Sequence, residues 1–209
     1  MARERGRRRD FPNRYVLPLH SGGTRLEFAG IFQRPAPLEA DLGCGRGRFL
    51  MAHAALAPER NFIGVDILSR RLGKFDLRAS ERGLTNIRML QGDIRFALEE
   101  FFPPASLSAA YLLFPDPWPK RRHHDRRILQ PAFLDLLHRV LTVGGLFHFA
   151  TDHADYFESA QKIFARDQRF EPAPPFEPTP EEHTDFEMLF LGLARTTRRA
   201  SLRKKAEGC

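Results

Sequence analysis

Asp41, Asp66, Asp93 and Asp116 each stand where an apolar run of the chain stops. A carboxylate at such a point can hold an ammonium or other cationic group, chelate ribose hydroxyls, or accept from an exocyclic amine of a base. After Asp116 the chain continues Pro117-Trp118-Pro119-Lys120-Arg121-Arg122-His123-His124-Asp125-Arg126-Arg127. Trp118 offers an apolar face on which a base can stack, and the basic run offers partners for phosphate. Pro115, Pro117 and Pro119 fix their own φ and push the residues before them toward extended backbone, so Asp116 and Trp118 sit on a stiff, non-helical rail. In isolation, a proline-rich surface turn followed by a solvated charge run would read the same way.

Such side chains need elements to aim them. Leu38 to Gly43 reads as a short strand feeding Gly43-Cys44-Gly45-Arg46-Gly47-Arg48, after which Phe49, Leu50, His53, Leu56 and Ala57 recur at helical spacing. Gly43, Gly45 and Gly47 permit positive φ and a close approach of ligand to backbone, and the helix beyond offers free N–H donors. A dinucleotide fingerprint wants Gly or Ala where Arg48 stands and no acid where Asp41 stands. An acid there would repel a pyrophosphate and suit a cationic ligand, such as an ammonium beside a sulfonium. In a second strand, Asn61 to Ile67, the apolar run ends at Asp66, about twenty residues beyond the loop, where an acid chelates ribose hydroxyls. Taken singly, Asp66 or Asp93 also reads as a helix N-cap or a turn residue.

The remaining chain alternates in the same manner. A charged helix from Arg70 to Arg82 closes at Gly83, and a strand from Ile87 to Asp93 and another from Leu107 to Phe114 follow. Pro131 to Leu141 predicts a helix before Gly144-Gly145, Leu146 to Asp152 a strand, and Ala154 to Phe164 a helix. Glu171 to Pro180 is rich in proline and predicts a loop. A strand from about Phe186 to Thr196 is expected to pair with a short one near Phe170, leaving Ser201 to Cys209 as a frayed end. Alternation of this kind implies an α/β fold, a mostly parallel sheet with helices on both faces, closed by an antiparallel hairpin.

Of the 209 residues, 42% are hydrophobic and 19 are Phe, which predicts one sizeable core and one globular domain, residues 31–209, behind a basic N-terminal arm, residues 1–30. Lys and Arg number 33 against 26 Asp and Glu, a net charge of +7 that favours a polyanionic partner such as nucleic acid. The basic residues cluster in Arg3 to Arg9, Lys120 to Arg127 and Arg195 to Lys205. Only 2 Cys are present, Cys44 and Cys209, with no metal or redox spacing, and His148 and His153 have no partner at metal spacing. A cytoplasmic protein with no metal, no disulfide and no membrane span is expected.

Asp41-Leu42-Gly43-Cys44-Gly45-Arg46-Gly47 resembles the first motif of class I S-adenosylmethionine-dependent methyltransferases. Phe114-Pro115-Asp116-Pro117-Trp118-Pro119-Lys120 with the basic run behind it, then Ala150-Thr151-Asp152, then Thr184-Asp185-Phe186-Glu187, in that order, resembles the bacterial tRNA (guanine-N7)-methyltransferases over about residues 30 to 200. That resemblance implies a Rossmann-like, mostly parallel seven-stranded sheet. It implies transfer of a methyl group from S-adenosylmethionine to N7 of a guanine in tRNA, guanine-46 of the variable loop, giving 7-methylguanosine and S-adenosylhomocysteine. It places Asp41, Gly43, Gly45, Gly47, Asp66, Asp93 and Asp116 at the cofactor, with Asp116 also the catalytic candidate. Lys120, Arg122, His123, His124, Arg126, Arg127, Asp152, Thr184, Asp185, Phe186 and Glu187 fall on substrate- and RNA-contacting positions. The family often has Glu where Asp41 and Asp66 stand, and Lys where Asp185 stands. A monomer or homodimer is consistent with it.

The chemistry agrees with these residue types. Guanine N7 carries a lone pair, so attack on a sulfonium methyl needs no general base and depends on positioning, and a fixed carboxylate such as Asp116 can stabilise the charge that develops on the purine. Other readings are a class I methyltransferase acting on another RNA position or a small molecule, and a tRNA-binding module without turnover. A nicotinamide oxidoreductase is disfavoured by Arg48 and by the lack of a Tyr-Lys or His pair suited to hydride chemistry.

Overall fold

A computed structural model describes residues 15–17, 28–67, 69–191, 193 and 195–206. The elements in chain order are β1 (Val16–Leu17), α1 (Phe28–Ile31), β2 (Leu38–Leu42), α2 (Arg48–Leu56), β3 (Asn61–Asp66), α3 (Ser69–Glu81), β4 (Ile87–Gln91), α4 (Ile94–Glu100) and β5 (Leu107–Leu113). A 3-10 turn (Arg121–Arg126) precedes α5 (Pro131–Val140), β6 (Leu141–Thr151), α6 (Ala154–Phe164) and β7 (Phe170–Ala173), and a second 3-10 turn (Pro180–Glu182) precedes α7 (Asp185–Leu191) and β8 (Arg198–Lys204).

The strands form one sheet in the order β1-β4-β3-β2-β5-β6-β8-β7, parallel except where β8 pairs antiparallel with β6 and β7. The expected Rossmann-like sheet is present, with the two-residue β1 added at its edge beside β4. From β2 the chain winds outward through β3 and β4 on one side and through β5 and β6 on the other. The reversal leaves a crevice at the carboxyl ends of β2 and β5, the place where open α/β sheets bind ligands.

Central parallel strands are covered on both faces, and every residue of β2 and β3 is buried. Leu38, Ala40 and Leu42 face a core built with α4, α5 and α6, while Phe62 packs with Leu50, Met51 and Phe75 from α2 and α3 on the other face. That second face is crossed by a row of paired positions, Gly64, Asp41, Tyr111, His148 and Ser201. Gly64 is required there, because a Cβ would lie 2.5 Å from Leu50 Cδ2 and 2.7 Å from Cys44 Sγ. The close approach seats the glycine loop directly on β3.

Several expectations need correction. The described residues of 186–196 do not form a strand: α7 covers 185–191, started by a capping box in which Thr184 Oγ1 accepts from Glu187 N–H (3.1 Å) and Glu187 Oε2 accepts from Thr184 N–H (2.8 Å). The antiparallel partner of Phe170–Ala173 is instead β8, so the segment from Ser201 is a paired strand through Lys204 rather than a frayed end. Lys204 is held there by the carbonyls of His138 (2.7 Å), in the last turn of α5, and Leu141 (2.9 Å), just after it. Helix α4 has no counterpart in the sequence reading. Of the stretch read as a basic arm, 15–17 run along the sheet edge with Tyr15 buried, and Arg3 to Arg9 lie outside the described residues. Cys209 lies outside them as well.

Candidate active site

At the crevice lies a cleft of about 350 Å³, within the range of roughly 300–1,000 Å³ usual for small-molecule sites. The glycine loop, the exits of β2, β3 and β5, the Phe114–Trp118 turn, Arg126 and Thr184–Phe186 line it. Asp41, Asp66 and Asp116 are therefore brought together from three strand exits, as the row of acids anticipated.

Each acid sits differently. Asp41 is 3% exposed, and among the described residues no side-chain hydrogen bond reaches its carboxyl group. Burial raises that carboxyl to about 7, with His53 opposing the rise and Asp66 adding to it. Asp66 accepts the N–H of Gly45 on Oδ2 at 2.9 Å and so holds the glycine loop. Gly43 (φ 90°), Gly45 (57°) and Gly47 (72°) all occupy the left-handed region, and a Cβ on Gly47 would lie 2.4 Å from Phe75. Gly47 serves as the N-cap of α2 and does not line the cleft. Asp93 is also outside the lining: its Oδ1 accepts from the N–H groups of Arg95 (2.9 Å) and Phe96 (3.1 Å), capping α4.

Asp116 lies on a turn bracketed by Phe114 (φ 53°) and Trp118 (φ 41°). Bulky residues in the left-handed region cost about 1–3 kcal/mol each and cluster at functional sites. Trp118 and Phe114 both line the cleft, and the Arg126 guanidinium sits 5.1 Å from the indole centroid with the His123 ring edge-on at 5.8 Å. Arg126, Arg122, Arg121 and Lys120 are exposed beside the opening.

Arg127 departs from the rest of the basic run. It is 2% exposed and donates to Pro117 O (2.9 Å), Ser159 Oγ (3.0 Å) and Asp155 Oδ2 (2.5 Å), with Tyr156 4.7 Å below the guanidinium. The hydrogen bond from Arg127 lowers the Asp155 carboxyl, and His124 Nε2 is 3.0 Å from the same guanidinium. Arg127 thus faces the protein interior rather than an RNA backbone. Glu187 likewise is spent on Thr184 and on an ion pair with Arg199, and Asp152 pairs with Arg195 at 2.8 Å outside the cleft lining. Thr184, Asp185 and Phe186 do reach the cleft.

A buried polar network beneath the cleft escaped the sequence reading. Glu39 accepts from Arg60 (2.5 Å) and Tyr111 (2.8 Å), and His53 stands between Glu39 and Glu182. Its neighbours hold the Glu39 carboxyl below its ordinary range against the opposing effect of burial, and burial lowers His148 to about 4. The signal was legible: Glu39 and Asp41, two apart in an otherwise apolar strand, share one face of β2. Among the described residues no group of three or more His, Cys, Asp or Glu is arranged to hold a metal ion, and no helix is long and apolar enough to cross a membrane.

Comparisons with known proteins agree with this architecture. A 16S rRNA methyltransferase superposes with a TM-score of 0.66 over 86% of this chain and 93% of its own at 17% identity, and an rRNA methylase from Streptococcus thermophilus at 0.54 over 82% and 88% at 18% identity. Proteins named tRNA (guanine-N(7)-)-methyltransferase from Nitrosococcus oceani, Halorhodospira halophila and Mycobacterium avium are 41%, 41% and 39% identical over 75%, 85% and 76% of this chain. The chain spans 66%, 75% and 61% of their respective lengths. A family profile described as a putative methyltransferase matches residues 35–193. The stretch so matched runs from the first long strand to just past the helix that walls the cleft, and at 41% identity to a relative of which it covers 75%, the chain belongs to the tRNA (guanine-N(7)-)-methyltransferase family.

Proposed function

We propose that this protein transfers a methyl group from S-adenosylmethionine to N7 of a guanine in tRNA, guanine-46 of the variable loop by family resemblance. The observation that carries the reading is Asp41, a buried carboxyl on the wall of a ligand-sized cleft, to which no hydrogen-bond donor among the described residues is directed. Such a group calls for a cationic partner, and the ammonium of the donor's amino-acid end fits it.

When bound, S-adenosylmethionine supplies a sulfonium methyl for in-line transfer and leaves as S-adenosylhomocysteine. Asp41 would hold the ammonium, and Asp66, already carrying the Gly45 N–H, would present its carboxylate to the ribose hydroxyls. Asp93, engaged as the α4 cap, would act at one remove, fixing Ile94 in the cleft wall. Asp116, held on the strained turn, would stabilise positive charge on the purine ring, while Trp118 gives the base a face to stack on. Lys120, Arg122, His123 and Arg126 would meet tRNA phosphates, and Thr184 to Phe186 would close the far wall.

Incubation of the purified protein with unmodified tRNA and methyl-labelled donor, followed by nucleoside identification, tests the reading. Labelled 7-methylguanosine is expected, with Asp116→Asn losing at least about a hundredfold in rate. Label at another position, or tRNA binding without donor consumption, would overturn it.

A further inference from the structure

The cleft has two kinds of wall. One comes from the sheet and the glycine loop; the other, Thr184 to Phe186, comes from a segment carrying Pro174, Pro175, Pro178 and Pro180, which lacks the backbone donors to anchor itself in a sheet. Its attachment runs through α2. His53 Nδ1 lies 2.5 Å from Glu182 Oε1, and Arg48 Nε donates to His183 O at 2.8 Å. Both residues belong to the helix that begins at Gly47, the end of the glycine loop.

His53 does not line the cleft, yet it is bonded on both nitrogens. Its Nε2 is 3.2 Å from Glu39 Oε2 and 3.0 Å from Tyr111 Oη, so carboxylates face both sides of the ring. A neutral imidazole donates from one nitrogen only, whereas an imidazolium satisfies both. Glu39 has Arg60 as a second cation, while among the described residues His53 is the charged partner of Glu182, whose other oxygen caps the 3-10 turn through Thr179 N–H at 2.8 Å. Phe176 closes over the network, 5.5 Å from the His53 ring and 5.8 Å from Phe49. The neighbouring carboxylates raise the His53 pKa against the burial that would lower it, in keeping with this geometry.

We propose that His53 is a positioning residue that clasps the Thr184–Phe186 wall to the helix carrying the glycine loop, so that the two sides of the methyl-donor cleft hold one geometry. The clasp itself follows from the hydrogen bonds; its effect on donor affinity rests on the function proposed above.

Three variants test it: His53→Gln, Glu182→Gln and the pair together. Glu182→Gln keeps an oxygen for the Thr179 cap and removes the ion pair, so it carries the test if His53→Gln does not fold. Hydrogen exchange at the 182–187 amides reads the clasp without any donor, and quenching of Trp118, the single tryptophan, reads S-adenosylmethionine binding. Each single variant is expected to speed exchange at 182–187 and weaken donor binding about tenfold, leave kcat at saturating donor within about twofold, and show no further loss when combined. Unchanged exchange in the folded single variants, or losses that simply multiply in the double variant, would overturn the clasp. Faster exchange with no donor binding even by the wild-type protein would leave the clasp standing and remove the assigned donor.

Discussion

Arg127 donates its Nε–H to the carbonyl oxygen of Pro117 at 2.9 Å, tying the end of the basic run to the residue that follows Asp116. Two adjacent arginines therefore have separate roles. Arg127→Ala should cost roughly 2–3 kcal/mol, the scale of hydrogen bonds lost from a charged group. Arg127→Lys should still fold but lower kcat about tenfold, because one ammonium cannot reach Pro117, Ser159 and Asp155 together. Arg126→Ala should leave the melting temperature unchanged and reduce the salt slope of tRNA binding by about one. Thermal melts beside tRNA titrations at several salt concentrations decide it. A tRNA-binding defect in Arg127→Lys without loss of stability or kcat would return Arg127 to the phosphate-contacting surface.

Asp41 makes stability and donor affinity run in opposite directions with pH. Its folded value, about 7, lies above the ordinary 3.8, so the fold favours the protonated form. That contribution to stability is full below about 3.8 and is lost as pH rises through about 7. The donor's ammonium needs the carboxylate, so its Kd should worsen by up to about tenfold per pH unit on going below 7. Asp41→Asn should abolish both trends, giving a ligand-free protein that is more stable at pH 8 and binds the donor poorly. Urea unfolding and Trp118 quenching across this range measure the two slopes; a flat donor affinity would remove Asp41 from the ammonium site.

Thr184 has a structural duty and a place on the cleft wall, and substitution separates them. Thr184→Ala removes the cap of α7 and should cost about 1 kcal/mol. Thr184→Asp restores a good cap while adding charge at the opening. Stability should recover in Thr184→Asp, and recovery of methyl transfer as well would show that the hydroxyl acts only as the cap.

The site was more legible than the chain's ends. Glycines before a helix and acids at strand exits are local signals, and the sheet then carried Asp41, Asp66 and Asp116 to one crevice. The segment misread as a strand, from about Phe186 to Thr196, opens with a short apolar run in which strand and helix periods cannot be told apart, and the Thr184–Glu187 capping box was the signal that decided it for 185–191. Strand β8 reads as a charged tail because its lysine and arginine heads find carbonyls and carboxylates only after folding. The same holds for Arg127: nothing in a row of basic residues tells which one turns inward. The His53 network joins positions 14 to 129 residues apart, so beyond the two acids on one face of β2 no local pattern announces it.

The central claim is that the acids at the exits of β2, β3 and β5 receive a sulfonium compound beside a pocket for a purine. A crystal structure of the protein with S-adenosylmethionine tests this most directly. The account predicts the ammonium against Asp41, the ribose against Asp66 and the methyl group facing the Asp116–Trp118 turn. A donor lodged elsewhere, or a cleft that excludes it, would contradict the account.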